Sequence, residues 1–100
     1  MALFAISFRV AELGDAPSRR ASIVEQIRKE ALDRTWEETT SFLLIASNKT
    51  TEALAQSVYL NSEMINEWDK LLVTDLSTKS YAVLGKIEYP STLAALMASR

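Results

Sequence analysis

A chain of 100 residues with a formal net charge of −2, 48% hydrophobic and 24% charged residues has the balance of one ordinary globular domain. It contains neither cysteine nor histidine. That excludes disulfides, thiolate metal sites, thiol nucleophiles and every Ser-His or Cys-His arrangement, and it removes the usual general base near neutral pH. A pI near 5.1 argues against a dedicated nucleic-acid binder.

In chain order, Leu3 to Val10 reads as a strand, with Phe4, Ile6, Phe8 and Val10 alternating against Ala5, Ser7 and Arg9. Met1 to Val10 lacks the basic region and long apolar stretch of a signal peptide. Gly14-Asp15-Ala16-Pro17 is a turn and helix start, and the helix runs to about Leu32 behind a stripe of Ile23, Val24, Ile27 and Ala31. Thr39 to Ser47 is a second strand, rich in β-branched, aromatic and aliphatic residues. Its apolar run, Phe42 to Ala46, is far shorter than the roughly 20 residues of a membrane-spanning helix, and a cytoplasmic, non-membrane protein is expected. Thr50 caps a second helix with Glu52 in its first turn, and apolar residues continue to about Ile65. Lys70 to Leu76 is a third strand, Ser77 to Lys79 a turn, and Ser80 to Ile87 a fourth strand. Pro90 closes this core, and Ser91 to Ser99 forms a short apolar helix.

The order β-α-β-α-β-β predicts one α+β domain over residues 1–100, a four-stranded sheet with two helices on one face, built as a split βαβ arrangement around a core of residues 1–89. The second strand is apolar on both sides, with Phe42, Leu44 and Ala46 against Leu43 and Ile45. Helices on one face leave the other side to be covered. A second copy of the chain is the expected cover, with Leu43 and Ile45 assigned to the dimer interface; the alternative is that Leu93 to Met97 folds back in cis.

At Thr40-Ser41-Phe42-Leu43-Leu44, Thr51-Glu52-Ala53-Leu54 and Asp69-Lys70-Leu71-Leu72-Val73-Thr74-Asp75-Leu76-Ser77 the chain resembles the SinR-like family of small bacterial proteins. These are similar to the small CRISPR-associated subunit of spacer acquisition. The resemblance covers most of residues 1–87 and implies a ferredoxin-like fold and a homodimer. It also marks a departure: relatives commonly carry Tyr-Asp where this chain has Phe8-Arg9, and that aspartate is the proposed metal ligand of the CRISPR subunit. An arginine there repels a divalent cation, so the nuclease reading loses its central residue.

Three functions are weighed. The reading preferred is a non-catalytic dimeric interaction or scaffold protein, with no cofactor, no metal ligand and no catalytic residue assigned. The alternatives are a nucleic-acid-binding accessory protein using Arg9, Arg19 and Arg20, and a metal-dependent nuclease drawing on Glu12, Asp15 or the acidic Glu37, Glu38, Asp69 and Asp75. Trp36, Trp68 and Tyr81 read as core or interface residues before they read as base-stacking platforms.

Overall fold

Seven elements follow one another in the computed structural model, which describes residues 1–100: β1 (Ala2–Arg9), α1 (Ala16–Glu30), β2 (Phe42–Ser47), α2 (Thr51–Leu60), β3 (Lys70–Asp75), β4 (Tyr81–Gly85) and α3 (Pro90–Ala98). The strands form one sheet in the order β2-β1-β3-β4, and every pairing is antiparallel. Both long helices lie on one face, where Ile23 and Ile27 of α1 and Leu54, Ala55 and Val58 of α2 seal Phe4, Ile6, Leu43, Ile45, Leu71 and Val73. The chain is thus an α+β protein with a ferredoxin-like arrangement of layers.

The pairing departs from a split βαβ unit, in which a helix connects two parallel strands. β1 and β2 are direct antiparallel neighbours. The cause is the segment between α1 and β2. It returns along the free edge of β2, where Leu32 N–H donates to Ala46 O at 3.0 Å and Trp36 exchanges backbone hydrogen bonds with Leu44 at 3.0 and 2.9 Å. That detour reverses the chain direction before β2 begins. Ser41, at φ 58°, then turns the backbone into the strand.

Local chemistry fixes the helix starts. The Asp15 carboxylate accepts from Ser18 N–H at 3.2 Å, with proline in the first turn, and the Thr50 hydroxyl accepts from Ala53 N–H at 3.1 Å. α2 stops at Leu60, short of the expected Ile65. Asn61 caps its end by donating its side-chain amide to Ser57 O at 2.9 Å, and Met64 turns back into the core. Gly85 ends β4 at φ +100°, where a Cβ would stand 1.9 Å from the Asp69 carbonyl oxygen. Only glycine lets that strand approach the Asp69 backbone so closely. α3 then runs back over the other face of the sheet, beside β4, and none of its residues is buried.

Candidate functional site

Strand parity assigns each β residue to a face. Phe4 pairs with Ile45 and Ile6 with Leu43, so these side chains share the inner face beneath the helices. Leu43 and Ile45 are 2% and 1% exposed within a single protomer. Their assignment to a dimer interface is therefore corrected: they belong to the core, and their neighbours Phe42, Leu44 and Ala46 face outward, each half-buried.

The three arginines do not converge. Arg19 is 3% exposed and forms the centre of a closed polar clamp. Its Nε donates to Asp69 Oδ2 at 3.0 Å and its Nη2 to Asp69 Oδ1 at 3.3 Å, while Nη1 and Nη2 donate to the carbonyls of Leu13 and Ala11 at 2.7 and 2.8 Å. The backbone N–H groups of Ala11 and Ile65 donate to the same carboxylate, both at 3.0 Å. The guanidinium also lies over the Trp68 ring, 5.1 Å from its centroid. Burial alone would raise the pKa of Asp69, but the Ile65 N–H, Arg19 and Ala11 N–H outweigh it and hold the carboxyl below its ordinary value. Four of the five guanidinium N–H groups and both carboxylate oxygens are engaged within the protein, and the side chain is buried, so Arg19 is not placed to receive a phosphate from outside. Its work is to tie the loop after β1 to the loop before β3.

Arg20 lies over the Phe8 ring, at 5.2 Å, on the helix side of the sheet. Arg9 is exposed on the outer side, directly opposite Lys70 in the β1–β3 register. Lys70 in turn bonds Glu88 at 3.2 Å. Arg9 and Lys70 end an open cleft that continues beneath α3, lined by Ser7, Leu72, Val83 and Leu93.

The carboxylates are dispersed. Asp15 caps α1, Asp69 is held by Arg19, Asp75 accepts from Ser77 N–H at 2.8 Å, and Glu37 pairs with Arg28 on the surface. No three acidic residues gather into a cation site. Hydrogen bonds from Arg28 and Thr35 lower the pKa of Glu37 to about 2. Glu30, in the groove between α1 and α2, accepts from Ser57 at 2.5 Å and Gln26 at 2.7 Å and pairs with Lys49 at 3.0 Å. Burial pushes its pKa up, and these three partners more than reverse the push. Glu30 thereby ties α1 to α2, Glu37 ties α1 to the segment before β2, and Asp15 and Asp75 hold local turns.

The outer face remains as the surface with unspent binding capacity. Across it the register sets two rungs, Leu44-Ala5-Thr74-Tyr81 and Phe42-Ser7-Leu72-Val83. α3 flanks the β3–β4 half: Leu93 lines one cleft with Val83 and Leu72, and Arg100 lies over Tyr81 and donates to the Lys79 carbonyl. On the β1–β2 half an open apolar groove of ≈ 410 Å³ is lined by Met1, Leu3, Leu32, Trp36, Leu44 and Ala46. Leu3 is 44% and Trp36 40% exposed there, and the Trp36 ring meets Phe42 edge-on at 6.3 Å.

Sequence reasoning missed Asp69 as the partner of Arg19, since 50 residues separate them. One signal was present. Arg19, Ile23 and Ile27 stand at i, i+4 and i+8, so the buried stripe of α1 extended one turn backward meets an arginine.

Comparison with protein-family models, with curated proteins and with solved structures found no match for this chain.

Proposed function

We propose that this chain acts without chemistry of its own, as a homodimeric interaction module that associates through the outer face of its sheet. The observation that carries this reading is the uncovered apolar half of that face, Leu3, Phe42, Leu44 and Trp36, next to a half already flanked by α3. A protomer that seals one side of a four-stranded sheet and leaves half the other in water has surface to gain by association. A homodimer is also what the likeness to the SinR-like family implies. Light scattering at micromolar concentration tests the reading. The wild type is expected to be a dimer and Leu44→Glu a folded monomer; a monomeric wild type would refute it.

A nucleic-acid-binding role has one observation behind it, the Arg9 and Lys70 pair at the mouth of the outer cleft. Its weakness is that Glu88 already engages Lys70, Arg19 is internal, and the net charge is −2. A gel shift that weakens steeply with salt and is lost in Arg9→Ala would favour this role over the first.

A further inference from the structure

α3 is an unusual helix to leave on a surface. Pro90–Ala98 contains no charged residue, none of its nine residues is buried, its side away from the sheet is Ser91, Ala94, Ala95 and Ala98, and Leu96 on its flank is 65% exposed. A solvated helix normally carries charge on the side away from the protein. The apolar groove of β1 and β2 lies on the same face of the same sheet, one helix width away.

We propose that, in the homodimer, α3 of each copy fills the open half of the other copy's sheet, so that the two α3 helices lie side by side as a middle layer between two sheets. This rests on the dimer reading above and specifies how the dimer is built. Four strands at a spacing of about 4.8 Å make a face about 19 Å wide, and a helix with its side chains is about 10 Å across. One helix covers half of such a face. Two cover it, and a protomer has only one to offer.

Symmetry places the second helix correctly. The centre of the sheet lies between β1 and β3. A twofold axis in the interface, parallel to the strands at that centre, exchanges the β4 side of one copy with the β2 side of the other. Each α3 is thereby carried over its partner's β1–β2 groove, and a contact of this kind closes on itself. An axis across the strands would instead stack α3 on α3 and leave the two grooves facing each other across a gap.

The rotation along the strands also preserves height, which fixes the register. Leu93 lines the cleft with Val83 and Leu72, on the rung whose other end is Phe42, so the partner's Phe42 comes over the back of α3 at the level of Leu93. Leu96 lies one turn further, at a rise of about 1.5 Å per residue, toward the rung that runs from Tyr81 to Leu44. It meets the partner's Leu44 and Trp36, which are otherwise open.

Leu96→Glu tests this contact without touching the protomer core. Wild-type protein is expected to dimerise, and Leu96→Glu to weaken dimerisation by at least about 100-fold, since a twofold interface loses the contact twice, with an unchanged circular dichroism spectrum. The chain has no cysteine, so cross-linking supplies a second measurement. Leu44→Cys and Leu96→Cys copies of different tag length, mixed and oxidised, are expected to yield a disulfide-linked species containing one of each. A dimeric wild type whose Leu96→Glu variant dimerises equally well, with no mixed disulfide, overturns this arrangement while leaving the dimer standing. A monomeric wild type overturns both.

Discussion

On the inner face of the sheet Phe4, Ile6, Leu43, Ile45, Leu71 and Val73 are sealed by two helices, whereas on the outer face Leu3, Phe42, Leu44, Leu72 and Val83 meet one short helix that reaches only half of them. These residues are of the same types, although the outer face also carries Ala5, Ser7 and Thr74 between them. What separates the faces is the supply of helix: α1 and α2 bring Ile23, Ile27, Leu54 and Val58 to the inner side, and α3 brings chiefly Leu93 to the outer side. Hydrophobicity along β2 therefore reports that both faces want cover, and only the count of helices says which face lacks it.

Adjacent residues of β2 offer the sharpest way to break this comparison. Ile45→Glu buries a carboxylate without a partner and is expected to unfold the chain, since the cost approaches the entire stability of a small domain, about 5–15 kcal/mol. Leu44→Glu, one residue away, is expected to cost the protomer about 1 kcal/mol or less and to act on association. Urea denaturation of both variants checks the pair. Equal effects would mean that the two faces are not distinguished as described.

Next in size is the clamp. Replacing Arg19 by Met leaves Asp69 buried with only backbone donors, and removing one partner of such a pair costs about 3–5 kcal/mol. The double variant Arg19→Met, Asp69→Leu is expected to recover part of that loss, which a double-mutant cycle measures. Recovery would be partial because the Ala11 and Ile65 N–H groups and the Ala11 and Leu13 carbonyls lose their partners as well.

The smallest effect is that of pH on the surface. Glu37 titrates at about 2 in the fold against an ordinary 4.5, so its pair with Arg28 contributes fully above about pH 4.5, declines below it and is gone near pH 2. Asp69 and Glu30 have lowered values too, and their contributions share that sign. Thermal melting from pH 7 down to pH 2 is expected to show progressive loss of stability. Glu37→Gln should flatten the curve slightly and Asp69→Asn, on a destabilised background, should flatten it more. Added salt should erase the first difference and leave the second, because only the surface pair is open to screening.

Much of the fold was legible in short-range pattern. Alternation in Leu3 to Val10, the Asp15 and Thr50 caps, and Pro90 before the last helix each located an element within a few residues. α2 was read too long because Leu60, Met64 and Ile65 continue the apolar spacing after the backbone has turned at Asn61. The direction of β2 was not legible, since it depends on the detour of residues 31–41, whose bonds to Leu44 and Ala46 are ladder contacts of irregular chain. Nor was the inner side of β2. Alternation divides a strand into two sets, but which set faces the helices is decided by pairing Phe4 with Ile45 across β1. Arg19 was misread for the same reason. A charged residue in a first helical turn is normally solvated, and its burial depends on an aspartate that arrives only when β3 docks.

The two tryptophans fall one to each region. Trp68 lies under the Arg19 guanidinium, and its ring would stand 3.2 Å from a Cβ at Gly14, so its indole is bound into the clamp. Trp36 stands at the open edge beside Leu44 and Phe42. The chain thus carries two intrinsic fluorophores with separable duties. With Trp36→Phe, the remaining emission follows closure of the clamp and is independent of protein concentration. With Trp68→Phe, it follows the outer face and, on the proposed dimerisation, is expected to shift to the blue as concentration rises and the second copy displaces water from the indole. A dilution series followed at one wavelength therefore watches association without a label, while urea titration of the other variant watches folding of the protomer.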